Sequence, residues 1–114
     1  MKKWTAQRLR SVTDLYVRQV LARDDVPHVN EVSAIARMTA AHFSNLFLRR
    51  VGMRPSQYIK QLQIECAKRL LVGSDMRVNR VGYNCGFRKR RTFFRAFKRI
   101  VGVTPGQYRA AHRS

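Results

Sequence analysis

The chain contains one segment twice. Residues 43–58 read F-S-N-L-F-L-R-R-V-G-M-R-P-S-Q-Y, and residues 93–108 read F-F-R-A-F-K-R-I-V-G-V-T-P-G-Q-Y. At a constant offset of fifty, eight of the sixteen positions are identical: Phe43/Phe93, Phe47/Phe97, Arg49/Arg99, Val51/Val101, Gly52/Gly102, Pro55/Pro105, Gln57/Gln107 and Tyr58/Tyr108. Further back the offset is forty-nine, where V-N-E-V at 29–32 matches V-N-R-V at 78–81, so one residue is inserted between the two blocks. Two copies are too few for a stacked array, which leaves a duplicated unit.

Residues 55–72 join the copies. Tyr58, Ile59, Leu62, Cys66, Ala67, Leu70 and Leu71 have the i, i+3, i+4 spacing of a half-buried helix. Lys60, Gln61, Gln63, Glu65, Lys68 and Arg69 are expected on its wet face, with Glu65 paired to Arg69 one turn on. Pro55 suits the first helical position, and Gly73 the position just past the end.

Around this connector the spacing predicts a helix over 5–22, a break at Asp24-Asp25-Val26-Pro27, and a short helix over 29–36 with Val29, Val32 and Ile35 or Ala36 inward. A turn with Thr39 as N-cap precedes a helix over 40–51 that buries Phe43, Leu46 and Phe47 and ends at a left-handed Gly52. The second copy repeats the short helix (78–84), the turn (Cys85-Gly86-Phe87) and the longer helix (90–101), and a capping box at Thr104 and Gln107 opens a last helix. The expected fold is all-α, with seven helices: a first helix-turn-helix subdomain at 1–54, a connector helix at 55–73 and a second subdomain at 74–114.

Charge narrows the function. Twenty-four Lys and Arg oppose six Asp and Glu, a formal net charge of +18, and the eleven basic residues after Asp75 face no acid. Such self-repulsion suits a polyanionic partner. No apolar run approaches the ~20 residues of a membrane span, and the polar stretch after Lys2-Lys3-Trp4 does not read as a signal peptide. The two cysteines lack metal-binding spacing and read as small buried thiols in a reducing compartment. No nucleophile–base pair, metal cluster or Gly-rich phosphate loop is present, so neither catalysis nor a cofactor is expected.

A short helix, a tight turn and a longer helix make a helix-turn-helix, whose second helix enters the major groove. In the second copy, G-F-x5-F-x3-F-K-R-x2-G-V-T-P-x2-Y-R spans residues 86–109. Here the chain resembles the AraC/XylS family of bacterial transcription regulators, over roughly residues 5–110 and at the size of its stand-alone members. The resemblance implies two helix-turn-helix motifs joined by one long helix, each placing a helix in successive major grooves on one face of DNA. The chain departs from the family at Arg37, where the first turn usually has glycine, and this predicts a distorted turn. It departs also at His28, Arg54 and Arg77, which replace polar caps.

Carried onto this sequence, the family's base-facing positions are Ala41, Ser44 and Asn45 in the first unit and Arg90, Arg91, Phe94 and Arg95 in the second. Thr39, Arg49, Arg50, Arg88, Lys89, Lys98 and Arg99 are expected at phosphates, although Arg49 and Arg50, like Lys68 and Arg69, also fit a solvated face. Phe94 is out of phase with the Phe93/Phe97 stripe and faces a thymine methyl, an aromatic cluster beside Phe93 or an interface with another protein. Tyr58 and Tyr108 read as packing residues whose hydroxyls cap backbone; His28, His42 and His112 read as surface or capping groups. The expected protein is a sequence-specific regulator, an activator that binds double-stranded DNA as a monomer in the bacterial cytoplasm at the nucleoid. RNA polymerase is a possible partner, and neither a membrane nor an effector-binding domain is expected. The other readings are a basic RNA-binding or ribosome-associated protein and a membrane-surface helix over 88–101, basic outside and phenylalanine-rich inside.

Overall fold

The computed structural model describes residues 3–113, and these form seven helices and no strand. Helix α1 (Ala6–Ala22) starts at Thr5, whose hydroxyl accepts the N–H of Arg8 at 3.1 Å. It buries Leu9, Thr13, Tyr16, Val17 and Val20; Thr13 is tolerated because its hydroxyl donates to the carbonyl of Leu9 at 2.8 Å. The Tyr16 hydroxyl accepts the N–H of His28 at 2.8 Å and donates to the Glu31 carboxylate, which ties α1 to the start of α2 (Val29–Ile35). On that short helix Val32 and Ser33 are buried and Val29 packs partly buried against the same core, as does the buried C-cap Ala36, whereas Ile35 is exposed. Helix α3 (Ala40–Val51) buries Phe43, Leu46 and Phe47 and ends at Gly52 with φ 93°.

The connector is α4 (Pro55–Gly73), followed by α5 (Val78–Asn84), α6 (Arg90–Val101) and α7 (Pro105–His112). Its role is wider than that of a linker. Ile59 near its start belongs to a core with Leu9, Val20, Val32, Phe43 and Phe47, while Ile64, Ala67 and Leu71 belong to a second core with Val81, Phe87, Phe93 and Phe97. The helix thus closes the first unit and opens the second. It stands to α5 and α6 as α1 stands to α2 and α3. At its two junctions the duplicated tyrosines do the same work: Tyr58 meets Phe47 at 5.4 Å between ring centroids, and Tyr108 meets Phe97 at 5.7 Å.

Serving two cores changes which connector residues are buried. Gln63, expected on the wet face, is buried and donates its amide N–H to the carbonyl of Cys85 at 3.0 Å. Ile64, off the expected stripe, is fully buried. Glu65 pairs with Lys68 at 3.3 Å and not with Arg69. The C-terminus also differs from expectation. Gly73 is the last helical residue, and Ser74 follows in extended backbone, its hydroxyl donating to the Leu70 carbonyl at 2.7 Å. Arg109 on α7 donates to the Leu71 carbonyl at 2.9 Å, and Arg113 donates to that of Ser74 at 2.8 Å. Basic side chains from α7 therefore satisfy the end of the connector, where the helix dipole favours positive charge. Arg113 also pairs with Asp75 and holds its carboxyl below the usual range.

Tyr58 differs as well: its hydroxyl donates to the Asp14 carboxylate at 2.6 Å, not to backbone. Of the two thiols, Cys85 is buried but Cys66 is only half-buried.

Candidate nucleic-acid interface

The two turns that aim α3 and α6 share one hydrogen-bond pattern. Met38 N–H reaches the Ser33 carbonyl at 2.9 Å, and Phe87 N–H reaches that of Gly82 at 2.9 Å. The left-handed residue of the first turn is Arg37, φ 61°, and of the second Gly86, φ 90°. Arginine thus takes the strained conformation at a cost of ~1–2 kcal/mol, without the distortion its identity suggested. The one-residue insertion falls immediately afterwards. Thr39 and Lys89 are the N-caps of α3 and α6, and only the second turn has a residue, Arg88, between its packed aromatic and its cap.

Arg88 does not project freely. Its guanidinium donates to the carbonyl of Tyr83 at 2.8 Å and to that of Asp24 in the first unit, and it stacks 4.0 Å above the Tyr83 ring. Arg90 is similarly engaged: Nε donates to Asn79 Oδ1 at 2.9 Å, and the guanidinium lies 4.6 Å from the Phe94 ring centroid. Arg88 thus ties the second turn to the loop after α1, and Arg90 ties α6 to α5. Phe94 itself is half-buried, edge-on to Phe93 at 5.7 Å and 83°, so the ring joins an aromatic cluster and keeps one side on the surface.

The remaining basic side chains of α6 are free. Arg91, Arg95, Lys98 and Arg99 are exposed, and with Phe94 and Thr104 they line an open groove of about 510 Å³. Among the described residues the ion pairs are Arg23–Asp25, Lys68–Glu65 and Arg113–Asp75, none on α3 or α6. Lys89 is exposed at the N-cap and makes no side-chain cap bond. It places positive charge where the helix dipole is also positive, a conflict that a bound anion removes.

The first unit presents a quieter face. Ala41 and Asn45 are exposed, and Ser44, at the position of Phe94, is half-buried. The Thr39 hydroxyl accepts the N–H of His42 at 3.1 Å and so caps α3. Arg49 and Arg50 occupy the last turn of α3, as Lys98 and Arg99 do in α6, where each complements the local dipole. One basic residue escaped the sequence reading. Lys60 of the connector shares a hollow of about 230 Å³ with Arg91, Thr92, Arg95 and Arg99, extending the positive surface from α6 onto α4. Its spacing said only that it was wet; its neighbours come from the fold. Among the described residues no cluster of His, Cys, Asp or Glu is arranged to hold a metal ion, and no helix is long and apolar enough to cross a membrane.

Two helix-turn-helix units sharing one helix, with an unpaired basic face on the second, define a double helix-turn-helix DNA-binding fold. A family model described as a helix-turn-helix domain matches residues 32–111. The DNA-binding domain of AdpA, a global transcriptional factor solved in complex with a target DNA, superposes with a TM-score of 0.79 at 30% identity over 90% of each chain. Two transcriptional regulators are similar in sequence. One from Mycobacterium tuberculosis is 35% identical over 83 residues, which is 73% of this chain and 32% of that protein. LumQ of Photobacterium leiognathi, a probable regulator, is 31% identical over 103 residues, 90% of this chain and 41% of that protein. The chain belongs to the AraC-type family of helix-turn-helix transcription regulators. It spans less than half the length of these two relatives. The family is one of DNA-binding regulators, which sets the RNA-binding alternative aside and gives no support to catalysis.

Proposed function

We propose that α3 and α6 enter successive major grooves on one face of duplex DNA, with α6 as the main reading element. The observation that carries this reading is the α6 surface: Arg91, Arg95, Lys98 and Arg99 flank Phe94 without an acidic partner among the described residues. Arg91 and Arg95 are suited to guanine O6 and N7, Phe94 to a thymine methyl, and Asn45 to adenine. Ala41 and Ser44 let α3 approach closely. Lys60, Lys89, Lys98 and Arg99, with Thr39, Arg49 and Arg50 of the first unit, serve as phosphate contacts that fix register. Arg88 and Arg90 support the reading helix through their bonds to Tyr83, Asp24 and Asn79. The protein acts as a cytoplasmic regulator that binds as one chain; activation through contact with RNA polymerase is the accompanying regulatory reading.

Selecting binding sites from a random duplex pool, followed by footprinting, tests this. The expected result is one preferred site, protected over about twenty base pairs on one face, as for two groove helices about one turn apart. Equal retention of all duplexes, or protection confined to a single groove, would overturn it.

A further inference from the structure

The two cysteines meet although they are 19 residues apart. Cys66 is on the connector, half-buried; Cys85 is the fully buried C-cap of α5; their Sγ atoms lie 2.9 Å apart with the Cys85 thiol donating. A cavity of about 450 Å³ between α1 and the connector includes Cys66 in its wall, with Leu21, Leu62 and Leu70 beside it and Asp14, Glu65 and Arg69 at its edges. A small polar oxidant has both a route to this sulfur and room beside it. We propose that Cys66 and Cys85 are a hydroperoxide-reactive dithiol whose oxidation to a disulfide weakens DNA binding by the second unit, a regulation that rests on the DNA-binding reading above.

The chemistry follows from the pairing. The hydrogen bond from Cys85 and the nearby Arg69 charge bring the Cys66 thiol down to about 7 against the opposing effect of burial, so Cys66 is the attacking thiolate. That same bond, together with burial, pushes Cys85 up, so it keeps its proton until it attacks the sulfenic sulfur of Cys66. Cys66 attacks one oxygen of hydrogen peroxide and becomes a sulfenic acid; the O–O bond breaks and the other oxygen takes a proton and leaves as water. Cys85 then displaces the sulfenic oxygen, its proton leaving in a second water. Two thiols and one hydrogen peroxide become one disulfide and two waters, and a dithiol reductant reverses the change.

A disulfide needs about 2.05 Å between sulfurs, so the pair must close by roughly 0.9 Å. On the Cys85 side the packing is tight. The Cys85 carbonyl is bonded to Gln63, a Cβ on the next residue, Gly86, would meet Gln63 Nε2 at 2.7 Å, and a Cβ on Gly82 would meet Phe93 at 2.5 Å. Drawing the end of α5 onto the connector therefore displaces the turn and α6 with it. The loss of one well-placed base contact corresponds to a fall of about tenfold in specific affinity.

The test exposes the 114-residue chain to hydrogen peroxide and follows intact mass, a non-reducing peptide map, and binding to the duplex selected above before and after dithiothreitol. Expected are loss of two hydrogens, a Cys66–Cys85 linked peptide, a fall in affinity of about tenfold, and recovery on reduction. Cys66→Ser should show none of these. Cys85→Ser should give a Cys66 sulfenic acid, trapped by a 1,3-dione, without a disulfide. Absence of the linked peptide from peroxide-treated protein that binds DNA when reduced would overturn the dithiol; a disulfide form that binds as tightly as the reduced one would overturn its regulatory effect. A reduced chain that binds no duplex would instead overturn the DNA reading and leave the dithiol chemistry standing.

Discussion

The guanidinium of Arg88 is hydrogen-bonded to the carbonyl oxygen of Asp24, 64 residues earlier in the chain, and so spans from the second reading turn to the loop after α1. Arg88 is also the inserted residue by which the second turn exceeds the first. Because Arg88 engages two carbonyls and the Tyr83 ring, we propose that it acts on DNA through the position of α6 and not through the phosphate contact expected from the sequence. Arg88→Ala is expected to lower stability by ~0.5–1.5 kcal/mol in urea unfolding and to weaken DNA binding with an unchanged salt slope. A phosphate contact would instead reduce that slope by about one on removal. Lys89→Ala, next in the chain, should show that reduced slope.

Arg37 and Gly86 hold the same left-handed position with opposite tolerance. Nothing but backbone strain opposes Arg37, so Arg37→Gly should stabilise the protein by ~0.5–1 kcal/mol, part of the relief being lost to a more flexible unfolded chain. Gly86 has two obstacles to a side chain: φ 90°, and Gln63 Nε2 only 2.7 Å from where a Cβ would stand. Gly86→Ala should destabilise by about 2 kcal/mol or more. Equilibrium urea midpoints of both variants give the comparison, and equal, small effects would refute it.

Two tyrosine–carboxylate bonds place an alkaline limit on stability. Burial, reinforced by the Glu31 hydrogen bond, pushes Tyr16 up to about 12, and burial with the Asp14 bond raises Tyr58 as well. The folded state keeps protons that the unfolded chain loses near pH 10. The stabilisation is complete below pH 10 and declines as pH rises from there through the folded values. Urea midpoints between pH 8 and 11 should fall for the natural protein and fall less steeply for Tyr58→Phe, which starts lower.

Most of the scaffold was legible because duplication fixes register: Phe43/Phe93, Gly52/Gly102 and Tyr58/Tyr108 play matched structural roles in the two units. Periodicity failed where one element serves two cores. A single amphipathic stripe leaves Gln63 wet and omits Ile64, yet both are buried, since the second unit covers a different side of the connector from the first. Local reading also missed partners distant in sequence, such as Arg109 and Arg113 at the end of α4 or Asp24 beneath Arg88. Gly82 offers a related case. Its counterpart Ser33 is buried with a side chain, but the ring of Phe93 leaves no room for one at 82. Of the candidate reading residues, Arg91 and Arg95 were assigned through the family resemblance, and both are exposed on α6. The engagement of Arg90 by Asn79 and Phe94 needed three dimensions.

That engagement sharpens the difference between the units. α3 presents Ala41, Ser44 and Asn45, whereas α6 presents Arg91, Arg95 and the open side of Phe94. Phosphate contacts raise affinity for every sequence, but a bidentate base contact discriminates by ~1–3 kcal/mol. Arg91→Ala and Arg95→Ala should therefore each relax the preference at one base pair of one half-site, a guanine, while Lys98→Ala weakens all duplexes alike. Arg90→Ala should lower thermal stability as well as affinity, because it also removes the Asn79 bond and the stacking on Phe94. Asn45→Ala should cost less than either reading arginine. Affinities for the selected duplex and its single-base variants, at two salt concentrations, separate these effects. If Asn45→Ala abolishes discrimination while Arg91→Ala and Arg95→Ala lower affinity uniformly, the reading head is α3 and the basic face of α6 is only an anchor.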